Sequence, residues 1–113
     1  MAVAGPACED QLRELFGGLG DITLRAMFGG AGVYCDGVMF ALIDGESTIF
    51  LKAEGVLARA LAAGGSEPFT YQRDGAARTI NYWRMPEDGL EDPAEARLWA
   101  SRSLDIARAA RKG

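Results

Sequence analysis

With 113 residues, 49% of them hydrophobic and 25% charged, the chain fits one globular domain and leaves little room for two. A domain of this size can bury roughly 65% of the surface its unfolded chain exposes, so a core without disulfide staples is feasible. The 12 basic and 16 acidic side chains give a formal charge of −4, which disfavours broad, charge-driven nucleic-acid binding while leaving a local basic patch open.

Along the chain, Cys8, Leu12, Leu15, Phe16 and Leu19 recur on one helical face, with Glu9, Asp10, Arg13 and Glu14 left for solvent. Gly17 and Gly18 are placed to end that helix. From Ile22 the period changes to two, through Leu24, Ala26 and Phe28. Further strands are expected at 31–35, 38–43 and 48–52, the middle one apolar on both faces and therefore central in a sheet. Asp36-Gly37 and Asp44-Gly45 separate these runs, and Asp-Gly between hydrophobic runs is the strongest local hairpin signal. A short helix follows through Val56, Leu57, Ala60 and Leu61, stopped by Gly64-Gly65. Residues 69–73 and 78–83 form a second hairpin around Asp74-Gly75. The last helix is expected to start with Asp92 as cap, Pro93 in the first turn and Glu95 three residues after the cap. Its broad apolar face holds Ala96, Trp99, Ala100, Ser103, Leu104, Ile106, Ala107 and Ala110, with Leu98 alone on the other side. The expected class is α+β: an antiparallel meander with N-terminal, middle and C-terminal helices packed on it, in a single domain over 1–113.

The chemistry-bearing residues are few. No histidine is present, which removes Ser-His and Cys-His nucleophile pairs and the commonest metal ligand. Cys8 and Cys35 are too sparse for a disulfide scaffold, lack zinc spacing, and read as buried thiols. No metal or cofactor is expected. Gly29, Gly30 and Gly32 invite a phosphate-loop reading, but a strand and not a helix follows them, so a tight turn or close backbone approach is favoured. Asp36, Asp44, Glu46, Asp74, Glu87, Asp88, Glu91 and Asp92 mostly sit beside glycine or proline, where carboxylates serve turns. Lys52 closes a strand, the ordinary place for a solvated lysine. Arg97, Arg102, Arg108, Arg111 and Lys112 give the final helix a basic tail that suits its dipole. Tyr71, Arg73, Arg78, Tyr82, Trp83 and Arg84 form a mixed aromatic-basic group, read here as half-buried sheet residues before base-stacking ones. No run reaches the ~20 apolar residues of a membrane span, and the first six residues lack a secretory pattern, so a reducing cytoplasm is the expected location.

One ordered set of short motifs carries a family likeness. Arg25-Ala26-Met27-Phe28-Gly29-Gly30, Gly32-Val33-Tyr34, Asp36-Gly37 and Met39-Phe40-Ala41 come first. Phe50-Leu51-Lys52-Ala53, Pro68-Phe69-Thr70-Tyr71, the run 82–86 and an alanine-rich helix with Trp99 follow. In that order they resemble the N-terminal domain of the TfoX/Sxy family. The resemblance implies a compact α+β domain similar to secretion-chaperone-like folds. It also implies a regulatory role. Longer members regulate natural competence through transcription, alongside the cyclic-AMP receptor protein, and carry a second helical domain. With 113 residues this chain is expected to be a stand-alone form. The family offers no catalytic residues to carry over.

The leading expectation is therefore a non-enzymatic regulatory domain that binds a protein partner. Arg25, Met27, Phe28, Gly29 and Gly30 are its first candidate contact surface and Tyr82 and Trp83 its second, because arginine and aromatic residues dominate interface hot spots. The rivals are direct nucleic-acid binding by a local basic surface, and a small carboxylate-based enzyme or ligand-binding protein. Homodimerisation through a strand edge or helix face is a further option.

Overall fold

A computed structural model of the chain describes residues 12–27, 29–45, 48–86 and 92–112. The end of the first helix, α1, spans 12–16 and passes into a 3-10 turn at Gly17–Leu19. Strands β1 (Ile22–Met27), β2 (Gly30–Cys35), β3 (Val38–Ile43) and β4 (Ile49–Lys52) follow, then helix α2 (Gly55–Ala63). Strands β5 (Pro68–Arg73) and β6 (Ala76–Arg84) and helix α3 (Pro93–Lys112) complete the order. Cys8 lies outside the described residues.

The strands form one antiparallel six-stranded sheet in the order β1-β2-β3-β4-β6-β5. The first four are the expected meander, with β3 central. The last hairpin docks by its second strand, so β6 and not β5 lies beside β4. Asp36 and Gly37 have φ of 50° and 84°, and Asp74 and Gly75 of 53° and 78°. These paired positive values are what a two-residue hairpin needs to match the strand twist. The Asp44-Gly45 turn is built differently. Neither residue has positive φ, and the Thr48 N–H donates to the Asp44 carboxylate at 3.0 Å.

All the described helices pack on one face. Helix α3 lies over β3 and β4 with Ala96, Ala100, Ser103, Leu104 and Ala107 buried, small side chains that let the helix approach the sheet. The Asp92 carboxylate accepts the Ala94 N–H at 3.0 Å, the expected cap. Buried Ser103 is satisfied by donating to the Trp99 carbonyl at 3.3 Å. Ala110 departs from the expected face and is exposed, as are Val56 and Ala60 of α2, whose buried residues are Leu57 and Leu61. These lie near helix ends or beyond the sheet, where less of the helix circumference has anything to cover.

Strict alternation breaks in β3. Val33 pairs with Ala41 but its neighbour Tyr34 pairs with Met39, so Phe40 is an extra residue bulged between them. The bulge turns both Phe40 and Ala41 toward the helices, each fully buried, and sends Met39 and Leu42 to the opposite face. Phe40 meets Phe16 of α1 edge-to-face at 5.4 Å. Phe40→Ala is expected to lower unfolding free energy by about 3–5 kcal/mol in a urea titration, because the cavity it leaves lies between bulge and helix and cannot collapse. Truncating half-buried Met39 to alanine is expected to cost clearly less.

Candidate functional site

The face of the sheet away from the helices is where polar chemistry collects. Cross-strand partners share a face, so the register assigns its residues. Thr23 and Arg25 of β1 are partnered by Tyr34 and Gly32 of β2, and Tyr34 by Met39 of β3. Phe50 and Lys52 of β4 are partnered by Arg84 and Tyr82 of β6, and Tyr71 of β5 by Arg78. All three tyrosines of the chain, Tyr34, Tyr71 and Tyr82, lie here and are half-buried. Leu42, Phe50 and Phe69 form the apolar floor, with Met39, Ile80, Tyr71 and Tyr82 packed against it. Phe69 meets Phe50 edge-on at 5.1 Å across β6, which lies between their strands.

Among the described residues, no strand contains an aspartate or glutamate, whereas the strands hold Arg25, Lys52, Arg73, Arg78 and Arg84. By register and alternation these cations all belong to the open face. The Arg25 guanidinium lies over the Tyr34 ring at 5.4 Å, and the Lys52 ammonium over the Tyr82 ring at 5.7 Å. Gly32, opposite Arg25, presents no side chain of its own. Arg84 is partly engaged, donating to the Gly65 carbonyl at 3.3 Å with Glu67 at 4.0 Å. Burial pushes the Tyr82 phenol up to about 12, and neighbouring Tyr34 adds to the shift. Tyr82 is therefore a neutral hydrogen-bonding group across the physiological range.

The candidate residues are divided by this geometry. Arg25 is exposed on the open face, and Tyr82 is half-buried on the same face. Trp83 points the other way and packs beneath α2 with Ala53, Leu57 and Leu61. Met27 pairs with Gly30 to close the β1–β2 hairpin, Gly29 is exposed in its turn at φ 76°, and Phe28 lies outside the described residues. Gly30 is buried, and a Cβ there would run into the Ile43 carbonyl oxygen and lie 2.8 Å from its carbon. Gly30 thus brings β2 close to the end of β3, and Arg25 of the same run lies on the open face. The sequence alone does not mark Tyr34 as a contact residue, and it presents Lys52 as an ordinary solvated lysine. The usable signal was the Asp36-Gly37 turn, which fixes the register of Tyr34 against Met39 and hence its face.

Elsewhere the groups are engaged structurally. Asp36 accepts the Asp21 N–H at 3.0 Å and lies 3.9 Å from Arg108, tying the β2–β3 turn to α3. Burial, then the Asp36 carboxylate, pushes the Cys35 thiol up, opposite to what a nucleophile needs. Arg102 lies over Trp99 at 5.8 Å. A groove of about 350 Å³ between α2 and α3 is lined by Val56, Leu57 and Ile106 with Glu54, Arg102 and Asp105. Among the described residues, no cluster of acidic or cysteine side chains is placed to hold a metal ion, and no helix is long and apolar enough to cross a membrane.

The family model of the TfoX N-terminal domain matches residues 14–107, from α1 through most of α3. The chain belongs to the TfoX N-terminal domain family. Compared with curated proteins, it matches none. The matched span contains every strand, so the open face with its tyrosines and cations is part of the TfoX domain itself.

Two outcomes are expected from this geometry. Gly30→Ala should cost about 1–3 kcal/mol of stability in chemical denaturation, since the backbone of Ile43 must move to admit a methyl group. An ultraviolet titration should show one tyrosine of the folded protein ionising near pH 12, a step absent in Tyr82→Phe. The folded state holds that proton more tightly than the unfolded chain. The resulting stability is complete below pH 10, the ordinary value, and is lost as pH rises toward 12.

Proposed function

We propose that this TfoX-type domain is a cytoplasmic, non-enzymatic interaction module that docks a partner protein on the open face of its sheet, in the manner of competence and transcription regulators. The observation that carries the reading is the one-sided construction of the sheet. Helices cover one face, while the other holds all three tyrosines around an apolar floor. Half-buried tyrosines with arginine beside them are the composition of interface hot spots, where rigid aromatic area is gained at low entropy cost. A catalytic reading has less support. The carboxylates Asp36, Asp44 and Asp92 accept backbone N–H groups in turns or at a helix start, and Cys35 is held protonated. The basic residues of the face make nucleic acid the rival occupant.

Affinity capture from the native cell with mass spectrometry, run with and without nuclease, tests the proposal. A partner should survive nuclease, drop about tenfold or more in recovery with Tyr34→Ala, and persist with Val56→Ser on the helix side. Equal recovery with Tyr34→Ala, or loss of every partner on nuclease treatment, would overturn it.

A further inference from the structure

We propose that the occupant of the open face is a short acidic segment of the partner protein, held in extended form between Arg25 on β1 and Lys52 on β4. This deepens the docking reading above and rests on it. The argument begins with charge. The chain is acidic overall, at −4, yet its described strands carry cations and no carboxylate, and those cations share one face. Such segregation gives the face a local field opposite in sign to that of the whole protein, and it favours an anionic ligand.

Geometry then sets the spacing. Neighbouring strands lie about 4.8 Å apart, so β1 and β4 are separated by about 14 Å across the sheet, and the register sets Lys52 two residues, about 7 Å, along β4 from the position opposite Arg25. An extended peptide rises about 3.4 Å per residue, so acidic side chains four residues apart reach both cations from one side of the segment. Tyr34 and Met39 lie between those cations, with Tyr82 beyond Lys52, and offer apolar contact and phenolic hydroxyls to the intervening residues.

A single-stranded nucleic acid fits less well, for two reasons on the same face. Base stacking uses open aromatic faces. Here cations already lie over the Tyr34 and Tyr82 rings, at 5.4 and 5.7 Å. The patch is also bounded by acids, with Asp44 and Asp74 in the adjoining turns and Glu67 just ahead of β5. A continuous polyphosphate leaving the patch meets these like charges, whereas a short acidic segment ends before them.

The test is fluorescence anisotropy on the whole chain with labelled probes: an extended peptide with glutamates four residues apart, its glutamine counterpart, and oligo(dT). The glutamate peptide should bind, with affinity falling as salt is raised. Glutamine replacement, Arg25→Glu and Lys52→Glu should each weaken binding about tenfold. Arg59→Glu, the same charge change on exposed α2, should leave it within about twofold. Denaturation midpoints of all variants should match wild type, since each replaced side chain is exposed or half-buried. Absence of glutamate-peptide binding, equal binding of the glutamine peptide, equal weakening by Arg59→Glu, or tighter Lys52-dependent binding of oligo(dT) would each overturn the proposal. Should face-dependent partner capture persist while the glutamate peptide fails, only the acidic-segment assignment falls. Should capture ignore Tyr34→Ala, the docking reading falls as well.

Discussion

The bulge at Phe40 is the point on which both faces of the sheet depend. A strand alternates with a period of two, so a single inserted residue reverses the facing of everything beyond it. Here the insertion turns Phe40 and Ala41 toward the helices, where Phe40 closes against Phe16. Val38 and Ile43 stay on that side, while Met39 and Leu42 move to the other. Without it, either Phe40 or Ile43 would leave the main core. The apolar floor beneath the tyrosines and the core beneath the helices are set by the same local irregularity.

Around that floor the charges are sorted. Carboxylates occupy turns and helices, where Asp36, Asp44 and Asp92 satisfy backbone donors. The helices carry charges of both signs, whereas the charged residues of the described strands are all cations, on the side the described helices leave open. Screening confines each charge to roughly 8–10 Å at ordinary salt, so a ligand on the open face responds to Arg25 and Lys52 more than to the net charge. The two tyrosines under those cations add area and hydrogen-bonding groups. Tyr82 adds no negative charge to that face, since a phenol is neutral at physiological pH and burial raises its ionisation further.

Within the Arg25-to-Gly30 motif, the glycines Gly29 and Gly30 serve the architecture. Gly29 turns the chain and Gly30 lets β2 run close to the end of β3 at Ile43. Backbone constraints of this kind leave a sharp sequence mark because only one residue type meets them. A binding face leaves a weaker mark, since tyrosine and arginine are acceptable on many half-buried strands. The glycines of the family-like motif and the side chains of the open face are therefore different residues of the same stretch.

Local rules made much of the fold legible. The helical stripe through Leu12, Leu15 and Phe16, the Asp36-Gly37 and Asp74-Gly75 turns, and the Asp92 cap each depend on neighbours a few residues away. They could be read in order along the chain. The Asp44-Gly45 turn joins two paired strands as expected, but it is closed by the Thr48 backbone N–H on the Asp44 carboxylate, not by positive φ. The site was less legible. Tyr82 and Trp83 are adjacent and chemically alike, yet one faces the open side and the other packs under α2. Arg25 and Tyr82 are far apart in sequence and meet one surface only through the β4–β6 pairing. By itself the sequence determined the elements, the turns and the family, all products of local backbone chemistry. Only the tertiary structure decided which sheet face the described helices leave open, that β6 and not β5 joins β4, and that Arg25 and Lys52 lie over Tyr34 and Tyr82. Those outcomes depend on long-range pairing, and spacing along the chain does not encode it.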